Sequence, residues 1–326
     1  MALHGYFGGK SSSAFKELIN SKIPKTGIKT YLEPFSGSFA TYMDDDQLKF
    51  DVVIYNDKNR HQVNLYKCAS EPEKFLPYLE NLKKTLLYTE ETEPLKKWDF
   101  YKKIYHEYTK NNFLDDMNFE IGDFEKAAIY AFLITSSFSS VYPRGGGFSG
   151  YKKDKDRLKL EVLIKKLKKN EYTDKLKSIT EFYNIDFEEL ITKYDSEDTY
   201  LYLDPPYARF DEAKGEDDAK RLFWYGADAE GVFGPASHRR LLELIKKSKC
   251  RWSLSYYYFP LLEELLPRDQ YIWTEKEVFR SSAHGGNNAD TKKEQAKGVE
   301  LLIMNYDPAT GKKLNINDVS TSKSEI

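Results

Sequence analysis

Asp204-Pro205-Pro206-Tyr207 is the densest concentration of chemistry in the chain, and it follows the apolar run Thr199-Tyr200-Leu201-Tyr202-Leu203. Two successive prolines fix φ twice and remove both backbone donors, a poor choice for packing alone. What remains is a set of acceptors, the carbonyls and the Asp204 carboxylate, beside the flat ring of Tyr207. In open α/β sheets ligands sit outside the carboxyl ends of strands. Acceptors beside an aromatic plane at such a place suit an exocyclic amino group on a flat base. The two N–H donors meet the acceptors while the base stacks on Tyr207.

A second motif, Leu32-Glu33-Pro34-Phe35-Ser36-Gly37-Ser38, also closes an apolar stretch. Gly37 permits close backbone approach, and Glu33 is an acceptor for a cation or an amino group. A third, Asn56-Asp57, ends the run Val52-Val53-Ile54-Tyr55. An acidic residue there is placed to take the ribose hydroxyls of a nucleoside cofactor. Tyr6-Phe7-Gly8-Gly9-Lys10-Ser11 mimics a phosphate loop, but the Walker pattern needs a glycine where His4 stands, so that reading fails.

The elements that must position these motifs alternate. Short strands are expected at Lys29-Thr30-Tyr31-Leu32, Val52 to Tyr55, Thr199 to Leu203, Arg251 to Tyr257, Tyr271 to Phe279 and Val299 to Asn305. Helices are expected at Ser12 to Asn20, Asn59 to Cys68, Ala236 to Lys247 and Pro260 to Leu266. Strands alternating with helices predict an α/β fold with a mostly parallel sheet covered on both faces. The middle reads differently, as helices over Pro94 to Tyr108 and Asp123 to Phe138 followed by a glycine-rich loop around Arg144.

The 326 residues carry a net charge of −2 and 15% aromatic residues, including 25 Tyr and 20 Phe. Tyr151 to Lys177 holds eleven basic against five acidic residues, so this segment is +6 and the remainder −8. Charge is segregated into what reads as an insert. A mean hydropathy of −0.67, with no apolar run near the ~20 residues a bilayer span needs, excludes a membrane protein. Cys68 and Cys250 match no metal or redox spacing and read as core thiols of a reducing compartment.

Taken in order, the motifs resemble the Dam-like (alpha-group) adenine-N6 DNA methyltransferases, which use S-adenosylmethionine. The matches are Tyr6-x-Gly8-Gly9-Lys10, Glu33-Pro34-Phe35-x-Gly37, Asn56-Asp57, Asp186-Phe187, Asp204 to Tyr207, and Glu300-Leu301-Leu302-Ile303-x-Asn305. The resemblance implies a Rossmann-like methyltransferase sheet over 1–68 and 178–306, a helical target-recognition insert over 69–177, and a flexible tail over 307–326. It implies that Tyr6, Lys10, Glu33, Phe35, Gly37 and Ser38 surround the methionine end of the cofactor. Asp57 would take the ribose and Asp186 with Phe187 the adenine. Asp204, Pro205, Pro206 and Tyr207 become the catalytic residues for a flipped adenine.

DNA contacts are expected from Lys152, Lys153, Lys165 and Lys166, whose segment would neutralise phosphates, from Arg144 as a flexible reader among its glycines and from Arg280 in a hairpin near the target base, and His238 is read as a surface cap. The implied partner is double-stranded DNA, with room for a cognate restriction endonuclease. No metal or membrane is expected, and the chain is read as a monomer or weak dimer in a bacterial cytoplasm, encoded by the bacterium or a phage. Two departures stand out: Phe39 where the family usually has a second glycine, and Phe138-Ser139-Ser140-Val141 where it usually has Phe-Asn-Gly-Leu. The first is the best support for one alternative, a decayed fold acting as a DNA-binding regulator. The other alternative is cytosine-N4 methylation, where a serine more often replaces Asp204.

Overall fold

Alternating tyrosine and leucine decide the architecture. The computed structural model describes residues 2–4, 13–110, 119–137, 147–207, 210–211, 216–217, 233–279 and 297–315. Seven strands form the central sheet: β1 (Thr30–Glu33), β2 (Val52–Asn56), β3 (Glu181–Tyr183), β4 (Thr199–Leu203), β5 (Arg251–Tyr257), β6 (Ile272–Phe279) and β7 (Lys297–Met304). Their order is β6-β7-β5-β4-β1-β2-β3. The pairs from β3 through β5 are parallel, whereas β7 lies antiparallel between β5 and β6. This is a Rossmann-like methyltransferase sheet.

Because successive strand residues point to opposite faces, Tyr31, Val53, Tyr55, Tyr200 and Tyr202 line one side. Leu32, Ile54, Leu201, Leu203 and Leu254 line the other. On the tyrosine side β5 supplies small serines. Tyr200 Oη meets Ser253 Oγ at 2.5 Å and Tyr202 Oη meets Ser255 Oγ at 2.9 Å, so buried hydroxyls keep partners.

Helices cover both faces: α1 (Ser13–Lys22), α2 (Ala40–Met43), α3 (Arg60–Ala69), α4 (Pro72–Asn81), α5 (Pro94–Lys110), α6 (Phe124–Ser136), α7 (Leu160–Leu167), α8 (Asn170–Lys177), α9 (Phe187–Lys193), α10 (Pro235–Lys247) and α11 (Pro260–Leu265). The tyrosine face shares one continuous core with Phe75 and Leu79 of α4, Ile129 to Leu133 of α6, and Leu160, Leu163, Ile164 and Leu167 of α7. The leucine face packs on α9, α10 and α11.

Expected and observed elements agree to within a few residues, apart from the unexpected helices α2 and α9 and the unexpected strand β3. Its three residues are only partly buried, so Glu181-Phe182-Tyr183 carries neither the length nor the apolar run of the others. Residues 307–315, the start of the segment read as a tail, fold back onto the sheet. The Leu314 N–H donates to the Asn305 carbonyl at 2.8 Å, and Tyr306 bridges Lys313. Cys68 and Cys250 are free and buried. Among the described residues no helix is long and apolar enough to cross a membrane.

Candidate active site

The strand order reverses between β1 and β4, the crevice where open α/β sheets place their ligands. Thr30 pairs with Thr199 and Leu32 with Leu201, so Glu33 leaves β1 on the same face as Asp204, which stands two residues farther along β4, close enough for its charge to act on Glu33. Glu33 is 2% exposed and accepts from the Tyr31 hydroxyl at 2.5 Å. Burial pushes its carboxyl well above the usual range, and the neighbouring Asp204 charge adds to the rise, against the hydrogen bond from Tyr31.

The loop 34–39 is tied from beneath by side chains of β2 and α3. Asn56 Nδ2 donates to the Pro34 carbonyl at 2.8 Å. The Tyr55 hydroxyl and Gln62 Nε2 donate to the Gly37 carbonyl at 2.6 and 2.8 Å. The Tyr66 hydroxyl donates to the Ser38 carbonyl at 2.5 Å. Gly37 takes φ 49°, left-handed backbone suited to glycine. Phe39 takes φ 52° as well, although it has a side chain.

That geometry answers the departure at position 39. The backbone keeps the left-handed turn a glycine would give, at a cost of roughly 1–2 kcal/mol for an L residue. In exchange the fully buried Phe39 ring fills the space among Tyr31, Tyr42, Tyr55 and Tyr66.

Asp57 follows β2. Its carboxylate accepts from Gly37 N at 2.9 Å and Asn59 N at 2.7 Å. Burial nevertheless raises its pKa to about 6, because desolvation outweighs the two bonds. Asp186 follows β3, capping α9 through Glu188 N at 2.9 Å and pairing with Arg240 Nη2 at 2.9 Å. Phe187 lies against Phe35, with ring centres 5.5 Å apart, and Arg240 stacks over it at 4.5 Å. Acidic groups therefore close three neighbouring parallel strands.

At the end of β4, Pro205 is buried, and Asp204, Pro206 and Tyr207 are partly so. The Tyr207 hydroxyl donates to Glu300 Oε1 of β7 at 2.7 Å. One side of its ring stacks on Tyr256 at 5.0 Å and 27°. Tyr257 meets it edge-on at 4.9 Å and 83°. Burial, with the Asp204 and Glu300 charges, holds the Tyr207 hydroxyl well above its ordinary pKa, so it stays protonated.

The remaining expected site residues divide. Tyr6, Lys10, Arg144 and Arg280 lie outside the described residues, as does the loop Phe138 to Val141. Lys152, Lys153 and Lys165 are exposed, and Lys153 Nζ sits over Trp98 at 4.7 Å. Lys166 instead folds inward, donating to the Ala2 carbonyl at 2.5 Å, and burial lowers its pKa. Its neighbour Lys168 pairs with Glu80 at 2.6 Å.

His238, read as a surface cap, is 3% exposed and packed beside Tyr256. Sequence reasoning missed Tyr256 as a neighbour of the motif. It also gave no role to Glu300, which it had noted only within the last strand. No local signal marks either, since both reach the loop only through strand pairing.

Among the described residues no group of three or more His, Cys, Asp or Glu could hold a metal ion. The family described as D12 class N6 adenine-specific DNA methyltransferase matches the chain over residues 6–272. A comparison with curated proteins gives no match.

Proposed function

The chain belongs to the D12 class N6 adenine-specific DNA methyltransferase family, and on that premise we propose that Asp204, Pro205, Pro206 and Tyr207 form its catalytic loop. The carrying observation is the position of this loop at the switch between β1 and β4, with its aromatic ring already clamped. The amino group of a flipped adenine donates to the Asp204 carboxylate and the Pro205 carbonyl. The base stacks on the face of Tyr207 turned away from Tyr256. These bonds draw the nitrogen out of conjugation and leave its lone pair for attack, so the protein acts through position and electrostatics. Asp204 takes a proton only after the nitrogen has become cationic by methylation.

S-adenosylmethionine, when bound, supplies the methyl group from a sulfonium centre. Its ammonium, ribose hydroxyls and adenine amine are all donors, and the acceptors fit them in kind. Glu33, Asp57 and Asp186 stand at the ends of β1, β2 and β3, which at ~4.8 Å between strands spans roughly 10 Å. Glu33 with Phe35, Gly37 and Ser38 is assigned the methionine end, Asp57 the ribose, and Asp186 with Phe187 the adenine. Tyr6 and Lys10 complete that assignment by resemblance.

We read 1–68 and 178–306 as catalytic and 69–177 as the part that meets double-stranded DNA, supported by the exposed Lys152, Lys153 and Lys165 and by the net +6 of Tyr151 to Lys177. Phosphate contacts from these lysines make DNA affinity fall with salt. Lys166 of the same segment is already spent on the Ala2 and Leu3 carbonyls.

The decisive experiment is Asp204→Ala with radiolabelled methyl transfer to unmethylated plasmid DNA. Transfer is expected to vanish while calorimetry still shows cofactor binding. Retained transfer overturns the assignment.

A further inference from the structure

Two adjacent prolines create a mechanical problem. Residues 205 and 206 have no N–H, so neither can be anchored by its own backbone donor. Any anchor must act on their carbonyls. In the reading above, the Pro205 carbonyl is reserved for the substrate amine, which leaves the Pro206 carbonyl as the handle.

The Tyr256 hydroxyl lies 3.3 Å from that carbonyl. Tyr256 sits on β5, whose Leu254 pairs with Leu203 of β4, so it flanks the loop just beyond the last paired residue. The same hydroxyl also touches His238 Nδ1 of α10. The imidazole is caged edge-on by Phe233 at 4.7 Å and Phe259 at 5.7 Å, which fixes its orientation. Its Nε2 is buried with no partner among the described residues.

Proton counting gives the bonds a direction. A hydroxyl has one proton, and a carbonyl can only accept. If Tyr256 donates to Pro206, then His238 Nδ1 must donate to Tyr256. Burial lowers the His238 pKa to about 4, so at neutral pH the ring holds a single proton. Placing that proton on Nε2 would bury a donor that no described residue is placed to receive. It would also draw the Tyr256 hydroxyl away from Pro206 and toward Nδ1.

We propose that His238 and Tyr256 are positioning residues for the catalytic loop, linked as His238 Nδ1–H to Tyr256 Oη–H to the Pro206 carbonyl. Tyr256 thereby holds the loop twice, by this bond and by stacking beneath Tyr207. The inference rests on Asp204 to Tyr207 being the catalytic loop.

The test uses the full chain and three variants. Tyr256→Phe keeps the stacked ring and loses only the hydroxyl. His238→Asn keeps an N–H donor at the Nδ1 position, whereas His238→Gln moves it to the Nε2 position. With unmethylated plasmid DNA, Tyr256→Phe is expected to lower kcat about tenfold, the rate equivalent of roughly 1.4 kcal/mol. The dissociation constant for S-adenosylmethionine and the KM for DNA should stay within twofold.

His238→Asn should retain at least half the parent rate, and His238→Gln should fall with Tyr256→Phe. A Tyr256→Phe rate within twofold of the parent overturns the proposal. So does a His238→Asn rate as low as that of His238→Gln when both melt like the parent. Activity in Asp204→Ala would instead overturn the catalytic reading, so the two failures are separable.

Discussion

The two loops that meet at the centre of the sheet are held still by opposite means. The loop 34–39 has its carbonyls gripped by fixed donors from Asn56, Tyr55, Gln62 and Tyr66, and one of its residues is driven into the core. The loop 204–207 has no proline donors to offer, and it leans on rings and on single bonds at its rim. The first is continuous with the hydrophobic core. The second is an attachment to it. Damage beneath the first should therefore cost stability, and damage around the second should cost rate.

Phe39→Ala puts that contrast under the greatest load. Removing a buried aromatic ring costs on the order of 3–5 kcal/mol, and alanine still has to adopt the left-handed turn. Phe39→Gly leaves the same cavity but relieves the backbone, so it should be about 1 kcal/mol less destabilising than alanine. Urea denaturation reads both, and glycine proving worse than alanine would break the account of position 39.

Next is Asp57. Its folded pKa of about 6 lies above the ordinary 3.8, so between those values the folded chain holds more protons than the unfolded one. Its contribution to stability is full below the unfolded value and is lost as pH rises through about 6. The loss is on the order of 2–3 kcal/mol. Asp57→Asn should flatten this part of the stability profile. Affinity for S-adenosylmethionine should run the other way, rising with pH through about 6 as the carboxylate becomes ionised. A flat affinity profile from calorimetry would detach Asp57 from the ribose.

Two hydroxyl deletions give a smaller internal comparison. Tyr66→Phe leaves the Ser38 carbonyl without its donor and should cost about 1–2 kcal/mol. Tyr55→Phe leaves the Gly37 carbonyl still held by Gln62 and should cost under about 1 kcal/mol. Equal costs would mean the donors do not act one by one. Glu300→Gln keeps an amide oxygen to accept from the Tyr207 hydroxyl at a buried position, so its stability cost should stay under about 1 kcal/mol, with methyl transfer nevertheless a few-fold slower because the Tyr207 ring loses a charged acceptor. A stability loss matching that of Tyr66→Phe would erase the distinction between the loops.

Much of the fold was legible because its signals are contiguous. An apolar strand ending in Asp204-Pro205-Pro206-Tyr207 needs no partner to be read, and the same holds for Glu33 to Ser38. What escaped is what arises only between distant segments. β3 is short and half-exposed, so its place in the sheet depends on pairing with β2. His238 on α10 carries the pattern of a surface residue until β5 is laid beside β4.

The lysines of Tyr151 to Lys177 show the limit of counting charge. Lys166 and Lys168 are as basic as Lys165, yet one satisfies backbone carbonyls and the other pairs with Glu80. The departure at Phe39 was visible as a departure. Its resolution was not, because the pocket of four tyrosines that receives the ring is assembled from β1, α2, β2 and α3.

The reversed direction of β7 has a practical corollary. Because that strand enters where its neighbours leave, its first residues lie at the ligand edge of the sheet, and Glu300 reaches Tyr207 from there. The family match ends at residue 272, before β7 begins. A clone trimmed to that boundary would keep the Asp204-Pro205-Pro206-Tyr207 signature while severing the Glu300 support of the Tyr207 ring and exposing β5 as a raw sheet edge. The segment that the family match covers is therefore shorter than the structure its own loop depends on.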